Sequence, residues 1–482
     1  MRTGGRWLLV TVAVVACSGE DVTAPPVPTA RVISATATAS SRNALAAFVR
    51  VAAVGADSAR VLFRAVDGSL DSTPMYPLAR SAAAVPVLGL RPETAYRGVV
   101  EISGAGGFAR SDTVSFSSAA LPELLKRITI STTGVSSGLT LTALQLAGTA
   151  LLAFAFDSAG TIRWYRQFDD PRAGGELKQQ PNGNFTIYIG ASFGSQRTPG
   201  YYLEFTPAGD SVRAIHAPPS LYMDNHEVWV TGNSDATERI HLFAYDHRPT
   251  DLPALGGQRR ADLAGHYLLR LRPNGALEFA WSGWEHLSVS DWIEPPRPGP
   301  VDVDQPDFDH PNALAFDRDS NYIVSFRNLG EIAKIDAISG EVIWRLGGAN
   351  NQFTFLNDPL GGFSAQHSPK ILPNGHLLVY DNGTRHQPQE TRAVEYALDL
   401  PARTATMMWE FRHDPLIYTP FVGSVERLAD GTTLIGYGTA GHATEVSADG
   451  GVRWEADILA DGQPAFVYRV MRLGSLYRYE VP

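Results

Sequence analysis

From Arg31 onward, apolar and polar residues alternate in short runs interrupted by Gly, Pro, Asn and Asp. Alternation of this kind marks half-buried strands, whereas an amphipathic helix would repeat about every 3.6 residues. Runs such as Arg31-Val-Ile-Ser-Ala-Thr-Ala-Thr38 and Ala59-Arg-Val-Leu-Phe-Arg-Ala-Val66 carry the pattern through residues 31–120 and predict a small β-sandwich there.

Past Leu121-Pro-Glu-Leu-Leu-Lys126 a longer period appears. A polar turn containing Gly leads into a strand ending in Trp at Asp157–Trp164, Arg272–Trp281, Asp336–Trp344 and Ala448–Trp454. Degenerate copies run from Thr206 to Ile215 and end at Met408-Trp409, so that successive ends fall 45 to 66 residues apart. Between them lies a second unit, a Gly- or Asn-bearing turn followed by an apolar strand, at Pro181–Ile189, Gly232–Tyr245, Asp319–Phe326, Pro373–Tyr380 and Asp430–Tyr437. Four strands per repeat describe propeller blades. Five hairpins and six Trp-type turns predict six blades over residues 125–478, closed by Arg127-Ile-Thr-Ile-Ser-Thr132 or by Tyr468-Arg-Val-Met-Arg-Leu473. The expected fold class is all-β, a six-bladed β-propeller preceded by the sandwich.

In a propeller the innermost strand of each blade lines the central channel, so the residues that open it face one rim. His226, His310 and His367 stand just before the inner hairpins of three successive blades and are expected to converge. Arg327 lies on the return strand of the His310 hairpin, and Asp381 and Asn382 hold the comparable place after His367. A lone histidine on a strand is more often a scaffold residue, but three at one repeat position point to a site. His241, His247, His266, His286, His376, His386, His413 and His442 lack this registration and read as surface or loop residues. His216 reads as packing, and Asp307, Asp309 and Asn312 as loop braces.

Three histidines could bind zinc. Against that, local His-x-His or His-x-x-x-His spacing is missing, and Arg327 would set a cation beside the metal. Histidines around a fixed guanidinium suit a compact tetrahedral anion instead, with one neutral imidazole free to act as a nucleophile. Transfer of a sulfuryl or phosphoryl group through a covalent histidine follows from that chemistry. Two alternatives remain open: a non-catalytic cell-surface propeller binding an anionic or aromatic ligand, and a metal-dependent hydrolase or lyase built on the three histidines.

With 45 Gly, 32 Pro and 10% aromatic residues against 6 Met, the composition agrees with short strands and tight turns. A formal net charge of -10 excludes a general attraction for nucleic acid or anionic membrane, so any anion site must be local. At the start, Arg2 and Arg6 precede an apolar run from Trp7 to Ala16, and Val14-Val15-Ala16-Cys17 is similar to the end of a bacterial lipoprotein signal peptide. The expected organisation is a leader over 1–17 with Cys17 lipidated and a tether over 18–30. An ordinary secretory signal with an incidental cysteine is the alternative. No second cysteine exists for an internal disulfide, and no later apolar run reaches the ~20 residues of a membrane-spanning helix. The expected location is the bacterial envelope, extracytoplasmic, with the lipid as the sole membrane contact.

His310-Pro-Asn312, Ser325-Phe-Arg327, the turn and strand from Ile335 to Gly347, and Gln366-His367 resemble the motifs of the bacterial arylsulfotransferase family, whose members are six-bladed propellers. That resemblance spans residues 125–478. It implies transfer of a sulfuryl group from a phenolic sulfate ester to a phenol by a ping-pong cycle, without the nucleotide donor PAPS, without cofactor or metal, and it admits a homodimer. It assigns His367 as the nucleophile that is transiently sulfated. His226, His310 and Arg327 would hold the sulfate oxygens and assist proton transfer, and Asn312 would support substrate binding. Phe308 and Ala313 depart from the family pattern, as does the lack of a cysteine pair near the site. Upstream, Leu90-Arg-Pro-Glu-Thr-Ala-Tyr96 followed by Val99, Val100 and Ile102 resembles the tyrosine corner of fibronectin type III domains, which gives residues 31–120 a spacer role. The Trp-ended repeats also resemble those of quinoprotein dehydrogenases, whose adjacent cysteine pair this chain lacks.

Overall fold

The computed structural model describes residues 28–477, apart from 67, 147, 170–174, 191–199, 233, 256, 258 and 293–306. The leader read over 1–17, with Cys17, and most of the tether lie outside the described residues. Strands dominate, and no helix among the described residues is long and apolar enough to cross a membrane.

Two sheets form the N-terminal unit. One contains Arg31–Ala39, Ala47–Val54 and Ala82–Val87; the other is built on Ser58–Ala65, Ala95–Gly104, Gly107–Arg110 and Val114–Ser117. Inward positions of the alternating runs, among them Val49, Val51, Val61, Phe63, Val100 and Ile102, are buried between them. The Tyr96 hydroxyl accepts the Arg91 backbone N–H at 2.7 Å, the contact expected of a tyrosine corner.

Six further sheets make the blades of a β-propeller. Blades two, three and four each run continuously in sequence, from innermost to outermost strand: Leu177–Gln179 to Ser211–Ile215, Tyr222–Thr231 to Leu277–Ser282, and Pro311–Phe316 to Val342–Gly347. Blade five runs from His367–Ile371 to Thr404–Phe411 and gains Thr354–Leu356 as a parallel strand on its outer edge. Blade six runs from Ser424–Arg427 to Val452–Ala460. Both candidate closing segments are used. Met471–Leu473 becomes the innermost strand of blade one, pairing with Leu139–Leu146, while Ile128–Gly134 adds to the outer edge of blade six. This explains why the sequence shows only five local hairpins: the inner strand of blade one arrives from the far end of the chain.

The Trp-ended strands are the fourth strands of the blades, and their indoles wedge against the next blade. Trp164 stacks on Phe205 and donates Nε1–H to the Pro207 carbonyl, while Trp454 stacks on Phe156 and donates to the Ser158 carbonyl. The repeat is thus a packing repeat that sets a large aromatic at the blade interfaces where the Trp is kept.

Candidate active site

Three successive innermost strands interrupt their pairing at the residues singled out by the sequence. In blade three the ladder breaks between Met223 and Val228, in blade four between Pro311 and Ala313, and in blade five between His367 and Lys370. Bulges of this kind re-aim side chains that regular alternation would place elsewhere. His310 (φ +44°) and Ser368 (φ +55°) adopt left-handed backbone at two of these breaks. Such a conformation costs about 1–3 kcal/mol in a non-glycine residue and persists only where its surroundings fix it. Each is followed by a proline, which removes one ladder donor.

The bulges bring the predicted residues together. The rings of His226 and His310 lie 4.5 Å apart between centroids, at 65°. Arg327, His226 and His310 all act electrostatically on His367, which is buried. Arg327 sits one residue past the strand Tyr322–Phe326, in a single 3-10 turn, rather than on the strand as the sequence pattern predicts. Its guanidinium donates to Asn328 Oδ1 at 2.8 Å and to the Pro420 carbonyl at 3.3 Å. His310 is the most open of these three histidines, its side chain 20% exposed against 8% for His226.

Hydrogen bonds fix the tautomer of His367. Its Nδ1 faces the Ala365 carbonyl at 3.1 Å and Asn382 Oδ1 at 2.7 Å. Asn382 donates its Nδ2 to the carbonyls of Thr419 (2.8 Å) and Val422 (2.9 Å), which turns its oxygen toward the histidine. The Nδ1 therefore carries the proton and Nε2 keeps its lone pair. Burial, reinforced by the Arg327 guanidinium, holds the His367 pKa well below the ordinary histidine value, so the ring is neutral near pH 7.

His226 and His310 are backed by carboxylates. His226 Nδ1–H donates to Asp224, 3.0 Å from both oxygens, and His310 Nδ1–H donates to Asp307 Oδ2 at 2.7 Å. Burial would raise the pKa of both acids, but the histidines beside them bring each well below the usual carboxylate range. For His310, burial together with the neighbouring His226 and Arg327 outweighs Asp307 and lowers its pKa. Both Nε2 atoms are left for the centre.

His266, read from sequence as a surface or loop residue, is buried in this shell. Its Nδ1 meets Asp309 Oδ1 at 2.6 Å and its Nε2 lies 3.5 Å from Asp224 Oδ2. Burial opposes its charge, yet Asp309 and Asp224 raise its pKa well above the ordinary value, making it an imidazolium between two carboxylates. His241, His247 and His386 also have buried side chains, contrary to the sequence reading; His386 pairs with Asp381 at 2.7 Å. Asp307 and Asp309 do brace the loop, and each also holds a histidine. Asn312 is buried and donates Nδ2 to the Gln366 carbonyl at 2.8 Å, so it supports the residue before His367. Gln366 in turn donates to Ser325 Oγ and the Glu331 carbonyl, both at 3.0 Å, tying blade five to blade four. Tyr468, seen in sequence only as part of the closing strand, donates its hydroxyl to the Asn312 carbonyl at 3.2 Å.

One signal for the carboxylate shell was present in the sequence: Asp224 precedes His226 by two positions and Asp307 precedes His310 by three. Nothing local marks His266, which reaches the site from the third strand of blade three, Ala261–Leu271. Among the described residues, one group of three side chains brings its ligating atoms within 4.8 Å of one another, and it contains none of His226, His310 and His367. Further along the same innermost strands the channel holds a cavity of about 360 Å³ lined by Lys178, Trp229, Ser368 and Arg469 among others.

The sequence profile of the arylsulfotransferase family (ASST) matches residues 126–460. The chain belongs to that family. No curated protein sequence matches it. Among solved structures, this arylsulfotransferase-family chain is similar to a protein of unknown function from Bacteroides caccae (14% identity, 69% of this chain and 98% of that one, TM-score 0.41). It is also similar to the periplasmic gluconolactonase PpgL of Pseudomonas aeruginosa (13% identity, 69% and 98%, TM-score 0.39) and to a streptogramin B lyase (8% identity, 69% and 88%, TM-score 0.34).

Proposed function

We propose that the protein transfers a sulfuryl group from an aryl sulfate to a phenol, without PAPS, through a sulfohistidine at His367. The observation that carries this reading is the state of His367: Nδ1–H is tied to Asn382 and Ala365, and the remaining nitrogen keeps its lone pair among Arg327, His226 and His310. A neutral, oriented imidazole is a nucleophile, and the Arg327 guanidinium beside it favours a group whose oxygens stay anionic throughout.

In the first half-reaction, Nε2 of His367 attacks sulfur, an N–S bond forms, and the S–O bond to the aryl group breaks. The departing phenoxide takes a proton from the imidazolium form of His310, which becomes the neutral ring. His310, the more open ring, is the donor. As His367 becomes cationic, its Nδ1–H bond to Asn382 strengthens. In the second half-reaction the acceptor phenol returns a proton to His310, its oxygen attacks sulfur, and the N–S bond breaks.

The test is release of nitrophenolate from 4-nitrophenyl sulfate by purified protein, with and without phenol. Release stimulated by phenol and lost in His367→Ala supports the reading. No release with any of several aryl sulfates and acceptors sinks it.

A further inference from the structure

Apart from the catalytic histidines, a second cluster joins blades five and six. His413 follows the outermost strand of blade five, His442 opens the third strand of blade six, and Glu455 lies on that blade's fourth strand. Nε2 of His413 is 2.7 Å from Glu455 Oε1, Nε2 of His442 is 3.5 Å from the same oxygen, and the three ligating atoms lie within 4.8 Å of one another. The rings stand 5.0 Å apart at 84°, so their planes do not compete for the space between them.

The outer nitrogens settle what the inner ones offer. His413 Nδ1 faces the Pro415 carbonyl at 2.8 Å, and His442 Nδ1 faces Asp457 Oδ1 at 2.7 Å. A carbonyl only accepts, so His413 Nδ1 bears a proton, and Asp457 asks the same of His442. Both Nε2 atoms then face the Glu455 carboxylate. Thr444 Oγ1 lies 2.9 Å from His442 Nε2, and the 2.7 Å contact between His413 Nε2 and Glu455 Oε1 needs a bridging proton or cation. Metal-ligating histidines characteristically give their other N–H to a carbonyl or carboxylate, and two histidines with one carboxylate form a zinc donor set. The ring of Tyr437 lies 5.9 and 5.8 Å from the two imidazoles between centroids, and its buried hydroxyl finds no partner among the described residues.

We propose that His413, His442 and Glu455 bind one divalent cation of the zinc class. The site is partly open, with side-chain exposures of 11%, 11% and 30%, so an ion has access. Its placement gives it a use. His413 starts the segment whose Thr419 and Val422 carbonyls orient Asn382 and whose Pro420 carbonyl holds Arg327. A cation at its base would pin the support of the nucleophile to blade six.

The test uses the full chain, stripped with chelator and titrated with Zn²⁺ followed by calorimetry, with Co²⁺ as an optical probe of nitrogen and oxygen ligation. The expected result is one equivalent per chain, a zinc-dependent rise in thermal midpoint, and loss of both in His413→Gln/His442→Gln. Asp457→Asn alters only the outer partner of His442, is 61% exposed in its side chain and therefore safe for folding, and is expected to weaken zinc by about 10–100-fold. Absence of stoichiometric uptake, or uptake unchanged in Asp457→Asn and in the double variant, overturns the proposal and leaves His413 and Glu455 as a proton-mediated ion pair.

Discussion

At the scale of single residues, the proposed transfer turns on which nitrogen of His367 carries a proton. Arg327 is the largest charged influence lowering the His367 pKa. Arg327→Met should therefore do two things at once: cut kcat/KM by about 10²–10³-fold, as loss of an oxyanion donor does, and move the acidic limb of its pH profile upward, because removing a cation makes His367 easier to protonate. A drop in rate with an unmoved limb would separate Arg327 from His367. His266 makes the opposite kind of contribution. Its folded pKa is raised, so its stabilisation is fully present below the unfolded value of about 6.5 and is lost as pH rises through the folded pKa. His266→Leu leaves Asp224 and Asp309 buried beside an apolar group and should cost about 3–5 kcal/mol at neutral pH. Denaturant unfolding as a function of pH should show the gap between wild type and variant narrowing on the alkaline side. The sequence made His226, His310 and His367 legible because each precedes an inner hairpin at the same repeat position, although His226 lies within its strand rather than at its start. It placed Asn382 at the position comparable to Arg327 but not its bond to His367, and it hid His266, whose role comes from pairing register.

Among the strands, bulges do what regular pairing cannot. Alternation and turn chemistry were enough to find the hairpins and the Trp-ended fourth strands, because those are repeated packing demands of every blade interface. The breaks at residues 223–228, 311–313 and 367–370 leave no such periodic mark. Nor does the short turn Gly283–His286, which closes on the site from blade three. A Cβ at Gly283 would meet Asp309 Oδ2 at 2.2 Å, so this glycine is needed for close approach. Gly283→Ala is expected to lose about 1–3 kcal/mol by overpacking and to lower kcat by shifting Asp309 and, through it, His266. Unfolding and turnover measured on the same preparation check this; a stable variant with unchanged kcat would show that Asp309 is not held where the turn requires.

For the whole molecule, ring closure makes the site possible. The strand Met471–Leu473 completes blade one, and the residues just before it bring Tyr468 to Asn312 and Arg469 to Glu176 and Glu227. Two sheet ends compete for the closing role in the sequence, and the structure uses both because the inner and outer edges of the ring each need an added strand. Truncation after Pro464 should abolish cooperative unfolding as well as activity, read by circular dichroism on heating. The sandwich rests on the ring through Asn43 Nδ2 to the Tyr165 carbonyl (2.8 Å), Arg163 Nε to the Gly89 carbonyl (2.8 Å) and the Leu88 N–H to the Tyr477 hydroxyl (2.7 Å). None of these contacts involves His226, His310, Arg327 or His367. The claim that matters most is that three blades converge on His367 as the group carrier, and trapping the intermediate tests it most directly. Protein mixed with 4-nitrophenyl sulfate without acceptor, quenched in alkali and digested, should yield a peptide containing His367 that is heavier by one sulfuryl group, and phenol added before the quench should erase it. Turnover without any such adduct, or an adduct on a different residue, would contradict the account.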